Sequence, residues 1–595
     1  MLALSPLFLL LGLFLPGFFI AKHLRHGLPW ASAFPISLVI LFHSIFWLGI
    51  LHVPITLWTV APGLIAISAV GAWLVRRAAI PAEPIAGERW SRQDRMLIVS
   101  SGLVGAVLLV HSAIAPLTGG DTLFRWDFLA QRLLALGRFD FYPPLAAADF
   151  RTYFFVDGIP PLISFTDWWV YASAGWYLPA MTSVFVAAQF ACTVAFTYGA
   201  ASVLFSQRAG VLAAAMLAGT PLFFRSVVLG QETGMTALGI AATIYFVVSA
   251  RGENDRAAMV LAGIGAGVCA LSREYGWIAV IVGAIALLWR RQSAKDVVLF
   301  GLVAAAVAGP WYARNWMLAG NPFYSLRFLN FAVNPIHDRI LHFYNASLGA
   351  DHWTGAEWVN VLRYLLVFAT LPVVAGIAGG MARFRTHGYL PAIAGVLAAV
   401  WLQSVGFTSG GPEISTRVLS PALVVLAIAG AGLLEKSRWQ RAAVAAILVC
   451  QVWTVAQGVI YPMDPFSLRP EQWFASAFPR VPPAAEFQIP DKLVQIFPRG
   501  QRVLSDSAYL HAAMIDKGVE VVPVWSPEVR FLFSTTAEEA ERRLRELHIG
   551  SVVVYPLTMN MQYLSSASPF YASLPERWKA LAQVGDFLFI LGPKN

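Results

Sequence analysis

The sequence predicts an all-α protein that crosses a membrane many times and ends in a small α/β domain. Of the 595 residues, 58% are hydrophobic and only 13% are charged. A soluble domain carries about a quarter charged residues, so this chain lacks the polar surface that water requires. Its apolar runs are long enough to cross a bilayer as helices of roughly 20 residues. A change of composition after residue 460 predicts the second domain.

The chain contains about thirteen or fourteen apolar runs that approach the length of a spanning helix. The count depends on the hydrophobic hairpin 257–290, which Ser272-Arg273-Glu274-Tyr275 divides into two short runs. The predicted spans lie near 4–21, 31–51, 56–75, 96–114, 177–205, 209–228, 233–250, 257–271, 276–290, 296–313, 358–379, 389–408, 416–434 and 441–460.

Basic residues occur in alternate loops between these spans. The positive-inside rule assigns such loops to the cytoplasm, so the N-terminus, the loops 115–176 and 314–357, and the C-terminal tail are predicted to lie outside. The formal charge of +9 is scattered between spans and forms no run, which argues against a nucleic-acid partner and for anchoring at the bilayer. Residues 1–460 are therefore predicted to form one transmembrane module.

The C-terminal part divides into a linker and a soluble unit. Residues 461–500 are rich in proline and aromatic residues and are interpreted as a linker. Within 501–595, strands are predicted at 502–505, 519–524, 549–555 and 587–591. Thr536 and Glu539 form a capping-box pattern at the start of an amphipathic helix, so a sheet with a helix packed on it is expected.

The first outer loop carries the candidate catalytic acid. Asp121 follows Gly119-Gly120, a turn that would let backbone and substrate approach closely, and Asp127 is the runner-up. As a helix, residues 121–134 would place aromatic side chains along one stripe and charges away from it. Such a helix is expected to lie at the outer interface with its aromatic face in lipid. A surface connector with solvated charges is the competing interpretation.

Charged residues recur at the outer ends of the spans. They are Arg225 with Glu232, Arg273 with Glu274, Arg314, and Arg417. Several guanidinium groups on one face could bind a phosphate bidentately, whereas isolated ones could simply reach toward the interface. His337 and His342 have no metal-ligand spacing, so a metal site is not predicted, although a divalent metal is not excluded.

One stretch resembles a known family. Pro310-Trp-Tyr-Ala-Arg314-Asn315 is followed by Asn321-Pro322-Phe323-Tyr324. Together with the Asp-led first loop and the interrupted hairpin, this stretch resembles the GT-C superfamily of integral membrane glycosyltransferases. The likeness is closest to bacterial lipid A aminoarabinose transferases and protein O-mannosyltransferase relatives, and it covers roughly residues 96–460. The Asp-Glu pair common in that loop is here Asp121-Thr122, which leaves the acceptor class and metal use open.

The resemblance implies transfer of a sugar from a polyprenyl phosphate to a hydroxyl acceptor on a lipid, glycan or protein. It places this reaction, with inversion, on the outer face of a bacterial cytoplasmic membrane, with the C-terminal domain on the same side. Asp121 would be the base. Arg273 and Arg314 are the leading candidates for the donor phosphate, ahead of Arg225 and Arg417. The candidate substrate-lining residues are Arg125, Trp126, Glu232, Glu274, Tyr312 and His352.

Two other functions also fit a helix bundle with charges at the ends of its spans. A transporter or flippase for a lipid or sugar would contain broken helices with interior charges, but it needs no long outer loops and no soluble domain. A non-catalytic subunit of a cell-envelope assembly would keep the scaffold without the chemistry.

Overall fold

The computed structural model describes most of the chain between residues 2 and 594. The residues outside the description are 1, 25–26, 78–89, 118–120, 253–254, 408–411, 413–414, 437, 439, 460–495, 585–587 and 595. The predicted Gly119-Gly120 turn and nearly all of the predicted linker 461–500 lie outside the described residues.

Most of the apolar helices coincide with the predicted spans, but the spans predicted at 209–228 and 358–379 are each two helices, bent by 65° and 99°. Eight are long and apolar enough to cross a membrane: Leu2–His23, Pro29–Ile50, Leu57–Arg77, Arg92–Ile114, Pro179–Leu204, Glu232–Ser249, Ala294–Ala319 and Thr416–Leu434. Two bent pairs pass the same test, Gln207–Ala218 with Pro221–Val228 and Gly355–Phe368 with Thr370–Ala382. Shorter apolar helices are Arg256–Ser272, Glu274–Trp289, Tyr389–Val405 and Gln440–Ala456. The all-α membrane class is thereby confirmed.

Local sequence explains where several of these helices begin and bend. Ser91 and Asp94 form a capping box at the start of Arg92–Ile114, which satisfies amide groups that have no partner within the helix. The 65° bend in the first bent pair lies just before Pro221, because proline cannot continue the preceding helix. In the hairpin, Arg273 has an extended backbone between two helices, so the hairpin contains two separate short helices.

The centre of the bundle is the helix Glu232–Ser249, whose apolar window is 94% buried. It packs closely against Arg256–Ser272 through small residues. A Cβ atom added at Gly239 would lie 2.8 Å from the Gly265 carbonyl oxygen. Such close approach favours helix association in lipid. Lipid supplies no hydrophobic force that drives helices together, so close packing contributes instead. Glu232 at the start of this helix is thereby held at a fixed position.

The loop between residues 115 and 176 folds into short helices. Thr122–Trp126 is a single π-helical segment and continues as the α-helix Asp127–Leu136; the helices Ala147–Phe150 and Leu162–Ala174 follow. The prediction that the aromatic face of 121–134 lies in lipid is wrong. Phe124 and Phe128 are buried against Tyr509 and His511 of the C-terminal domain, so another protein surface covers the apolar stripe.

The C-terminal domain is a five-stranded mixed sheet with helices packed on it. Its strands are β1 (Arg502–Ser505), β2 (Glu520–Pro523), β3 (Ile549–Val554), β4 (Trp578–Val584) and β5 (Leu588–Pro593), in the spatial order β2-β1-β3-β5-β4. The β1 strand is parallel to β2 and β3, and β5 is antiparallel to β3 and β4. The helices are Ala508–Met514, Ala537–Glu546, Met559–Ala567 and Pro569–Arg577. The β4 strand was not predicted from the sequence.

This domain is docked on the outer loops of the membrane module. The Trp525 indole N–H donates to the Phe154 carbonyl at 2.8 Å, and the Asn334 amide donates to the Trp525 carbonyl at 2.9 Å. Asn334 also caps the helix Pro335–Leu348, which belongs to the second outer loop. Trp525 therefore joins the sheet to both outer loops.

Candidate active site

Asp121, in the predicted first outer loop, makes an ion pair with Arg417, near the start of the helix Thr416–Leu434. An Arg417 Nη2 atom donates to an Asp121 Oδ2 atom at 3.1 Å, across 296 residues of sequence. The Arg417 side chain is 17% exposed and that of Asp121 is 36% exposed. The carboxylate can thus be reached from outside, while its cationic partner is largely enclosed.

The residue next to Asp121 anchors the loop. The Thr122 hydroxyl donates to the Leu229 carbonyl at 2.8 Å and lies 2.9 Å from the Gln231 amide nitrogen, which donates to it. Thr122 is fully buried. The threonine that replaces the second acid of the family pattern therefore has a structural partner, and it holds Asp121 beside the start of the helix Glu232–Ser249.

Arg273 is the second cation of the site. Its Nε lies 3.2 Å from a Glu274 carboxylate oxygen, and its guanidinium lies 5.8 Å from the centre of the Trp126 ring. The Tyr312 hydroxyl donates to the Ala270 carbonyl at 2.7 Å, which fixes the end of the preceding helix. Arg273 is close enough to act electrostatically on Asp121. The interruption of the hydrophobic hairpin thus positions a guanidinium group at the site.

Glu232 lies in the field of both cations. Electrostatic interactions connect it with Arg273 and Arg417, and it is only 4% exposed. Its Oε2 atom has no hydrogen-bond partner among the described residues. A buried carboxylate oxygen without a partner is costly in a protein interior.

A further acid, Asp157, was missed by the sequence analysis. It lies 3.1 Å from Arg125 Nε and accepts a hydrogen bond from the Tyr142 hydroxyl at 2.8 Å. Burial raises the pKa of Asp157, although the Arg125 charge opposes this. Arg125, Trp126 and Asp157 line a small cavity next to the loop. The available signal was a single acid in the otherwise apolar stretch 154–163.

The motif that carries the family resemblance holds the backbone at Gly158, beside Asp157. The Trp311 indole N–H and the Asn315 amide both donate to the Gly158 carbonyl, at 2.9 and 2.8 Å. A Cβ atom at Gly158 would lie 2.6 Å from the Tyr324 carbonyl oxygen, so no larger residue fits without a shift. The motif therefore positions the Arg125–Asp157 pair.

We expect Asn315→Ala to lower the stability of the protein by about 1–3 kcal/mol, because a buried hydrogen bond is lost. The measurement is thermal unfolding in detergent. Met317→Ala on the same helix is the control, since Met317 is 85% exposed. Equal unfolding temperatures for the two variants would contradict the positioning role of Asn315.

The charges around Asp121 keep it ionised. Burial would raise the pKa of Asp121, but the positive charges of Arg125, Arg417 and Arg273 hold it below its usual value of 3.8. At neutral pH the side chain is therefore a carboxylate. This carboxylate is a weak base as long as no bound anion neutralises the charges of the three arginines.

Asp127, the runner-up for the base, lies in a different environment. It is fully buried and accepts hydrogen bonds from Tyr171 at 2.5 Å, Tyr177 at 3.0 Å and Gln131 at 2.8 Å. Burial raises its pKa to about 6, despite these hydrogen bonds. Its oxygens are occupied by three donors, so the geometry favours a structural role.

The raised pKa of Asp127 makes stability depend on pH. The folded protein binds this proton more tightly than the unfolded chain, so the contribution is complete below pH 3.8 and is lost as pH rises through about 6. The difference of about 2 pKa units corresponds to ~3 kcal/mol. We expect Asp127→Asn to flatten the decline in unfolding temperature between pH 4.5 and 6.5. An unchanged slope in the variant would refute this assignment.

Three other candidates contact neighbouring polar or aromatic side chains. The Arg225 guanidinium donates to the Tyr364 hydroxyl at 2.7 Å. That of Arg314 lies over the rings of Phe139 and Trp311, at 4.9 and 5.2 Å from their centres. His352 is 53% exposed and faces Asp351. Among the described residues, no group of three or more His, Cys, Asp or Glu side chains could hold a metal ion.

The fold is similar to those of two solved membrane enzymes. ArnT from Cupriavidus metallidurans bound to undecaprenyl phosphate is 13% identical, with a TM-score of 0.51 over 84% of this chain and 98% of that chain. The archaeal oligosaccharyltransferase AglB from Archaeoglobus fulgidus, in complex with an inhibitory peptide and a dolichol-phosphate, is 11% identical, with a TM-score of 0.51 over 84% of this chain and 74% of that chain. No curated protein sequence matches the chain.

The chain thus has the fold of the GT-C superfamily of integral membrane glycosyltransferases, and the resemblance noted from the sequence is confirmed. Within that fold, residues 160–312 match the model of one family, described as dolichyl-phosphate-mannose-protein mannosyltransferase. The matched region contains Glu232, Arg273 and Tyr312. It ends two residues before Arg314 and does not include Asp121.

Proposed function

We propose that the protein transfers a sugar from a polyprenyl-phosphate donor to a hydroxyl acceptor at the outer face of a bacterial cytoplasmic membrane, with inversion. The observation that carries this proposal is the ion pair between Asp121 and Arg417 at the outer end of a GT-C bundle. A reachable carboxylate beside an enclosed guanidinium provides a proton acceptor and an anion-binding group within one site. ArnT and AglB were both solved with polyprenyl-type lipid phosphates, which supports the donor class.

Asp121 is the proposed general base. A single displacement with inversion needs a base on the face of the sugar opposite the leaving group, where it accepts the proton of the attacking hydroxyl as that proton becomes acidic. The three nearby cations lower the basicity of the free carboxylate. A bound donor phosphate would neutralise part of that positive charge, and the pKa of Asp121 would rise. Donor binding would therefore activate the base.

Arg417 and Arg273 are the proposed phosphate-binding groups. Both are largely enclosed, with side chains 17% and 22% exposed, and both act electrostatically on Asp121. The leaving group is an anion, and enclosed guanidinium groups stabilise developing negative charge more strongly than solvated ones. Arg314 and Arg225, whose guanidinium groups contact Phe139, Trp311 and Tyr364, come second in this proposal.

The acceptor would approach between the first outer loop and the C-terminal domain. The loop that carries Asp121 packs against this domain through Phe124 and Tyr509, whose ring centres are 4.9 Å apart. Glu232, with a carboxylate oxygen that has no described partner, would accept a hydrogen bond from a sugar hydroxyl. The class of acceptor, whether lipid, glycan or protein, would then depend on the docked domain.

The test is an assay of sugar transfer by the full-length protein in nanodiscs, with a panel of polyprenyl-phosphate sugars as donors. We expect the protein to consume at least one donor and to release polyprenyl phosphate in the presence of an acceptor. Movement of an intact lipid-linked sugar across the bilayer without release of polyprenyl phosphate would instead support a flippase. Absence of both activities with every donor would support a non-catalytic subunit.

A further inference from the structure

A polar cavity lies at the end of the helix bundle opposite to Asp121. Its volume is about 360 Å³. It forms where the ends of several membrane helices meet, and none of the residues that line it belongs to the proposed active site. The lining residues are Leu204, Phe205, Ser206, Arg208, Arg383, Glu435, Lys436 and Gln440.

One helix connects the cavity region with the outer loop and fixes their separation. Arg208 contacts the first residues of Arg92–Ile114: its Nη2 donates to the Gln93 amide oxygen at 2.9 Å, and its Nε lies 3.9 Å from Asp94. The other end of this helix leads to Asp121. A helix of 23 residues is about 35 Å long, roughly the thickness of a bilayer core. The cavity therefore lies at the other membrane surface, the side of the basic loops.

Positive charge exceeds negative charge in the lining. Arg208, which also pairs with Asp94, lines the cavity together with Arg383, Lys436 and a single acid, Glu435. That acid is already engaged, because Arg383 lies 3.7 Å from it and the Ser206 hydroxyl donates to it. Lys436 is exposed and makes no ion pair with any residue in the described part of the chain. Lys436 is thus available to an anion of the size of a phosphate headgroup, with Arg208 and Arg383 beside it.

Exposed apolar side chains occur next to the lining residues in the chain. Val203, Met381 and Phe384 flank the lining residues in the chain and are exposed by 51%, 74% and 58%. Exposed apolar side chains at the depth of a membrane surface would contact the acyl chains of a lipid. A cationic cavity at headgroup depth is suited to a lipid headgroup.

We propose that this cavity binds the phosphate headgroup of an anionic phospholipid of that leaflet. The site goes beyond the proposed transferase function and does not depend on it. Basic cavities between membrane helices on the cytoplasmic side are suited to such headgroups, and each Lys or Arg near the surface contributes about 1 kcal/mol. A bound lipid would join the ends of the helices that carry Ser206, Arg383 and Glu435.

The experiment measures binding of acyl-labelled phosphatidylglycerol to the full-length protein in detergent. The variant is Arg208→Gln with Lys436→Gln; Arg383 is left intact because its guanidinium also packs over Phe205 and donates to the Gly432 carbonyl. Removing two cations is expected to weaken binding roughly 30-fold, which is the equivalent of about 2 kcal/mol. Should the double variant not fold, Lys436→Gln alone is expected to weaken binding roughly 5-fold.

The control variant is Arg385→Gln. Arg385 is an exposed cation two residues after Arg383, and it does not line the cavity. It is expected to bind phosphatidylglycerol as the wild type does. Phosphatidylcholine and inorganic phosphate are the two competitors. Displacement of the labelled lipid by phosphatidylcholine or by millimolar inorganic phosphate as readily as by phosphatidylglycerol would overturn the proposal, as would equal affinity in all variants.

Discussion

Asp121→Asn is expected to lower the turnover number for sugar transfer by at least about 100-fold, since a positioned general base contributes 100- to 10,000-fold. The variant keeps the shape of the side chain but cannot accept the proton of the attacking hydroxyl. Arg417 loses its 3.1 Å anionic partner and becomes fully available to the donor phosphate. We therefore expect the affinity for polyprenyl phosphate to be unchanged or increased while turnover collapses.

The matched control is Asp140→Asn. Asp140 belongs to the same outer loop, is 49% exposed and pairs with Arg138 at 2.8 Å, so it is an acid with the same type of partner but outside the site. The Asp140→Asn variant should transfer sugar at the wild-type rate. Wild-type turnover in Asp121→Asn would refute the assignment of the base, and a large loss of affinity for polyprenyl phosphate would show that Asp121 acts through the fold instead.

The membrane architecture could be predicted from the sequence because lipid imposes it. Backbone groups in hydrocarbon must form their hydrogen bonds within the segment, so a long apolar run has few alternatives to a helix. The short runs 257–271 and 276–290 were correctly separated because charges at membrane depth are costly. The same reasoning made Arg273 a candidate functional residue, because a charge at membrane depth is costly.

The pairing of Asp121 with Arg417 could not be predicted. The two residues are 296 positions apart, and Arg417 at the start of an apolar run has the same pattern as an arginine that only anchors a helix. Arg314 was favoured because it belongs to a specific motif, yet that motif holds the Gly158 carbonyl. A sequence motif alone does not show whether its residues contact a substrate or position other residues that contact it.

The orientation of the first outer helix shows a second limit. An apolar stripe with charges on the opposite face is equally compatible with lipid and with another protein surface, because both exclude water. Phe124 and Phe128 are covered by a domain that begins almost 400 residues later in the chain. Only the three-dimensional structure reveals this partner.

Arg417→Gln and Arg273→Gln are each expected to weaken binding of polyprenyl phosphate by roughly 10- to 100-fold, which corresponds to one lost charge-assisted hydrogen bond of about 1.5–3 kcal/mol. The measurement is binding of a labelled polyprenyl phosphate without acceptor, so that the chemical step does not contribute. Arg273→Gln also leaves Glu274, whose side chain is 6% exposed, without its ion-pair partner. Its unfolding temperature must therefore be recorded with the affinity.

Arg314→Gln is the matched control, because it removes an arginine of the same outer region that packs on Phe139 and Trp311. It is expected to change the affinity for polyprenyl phosphate less than about 3-fold, the range expected when no direct contact is lost, although packing on the aromatic rings is weakened. A larger loss of affinity in Arg314→Gln than in Arg417→Gln, at similar unfolding temperatures, would move the phosphate site from the Asp121–Arg417 pair to the Pro310–Asn315 motif.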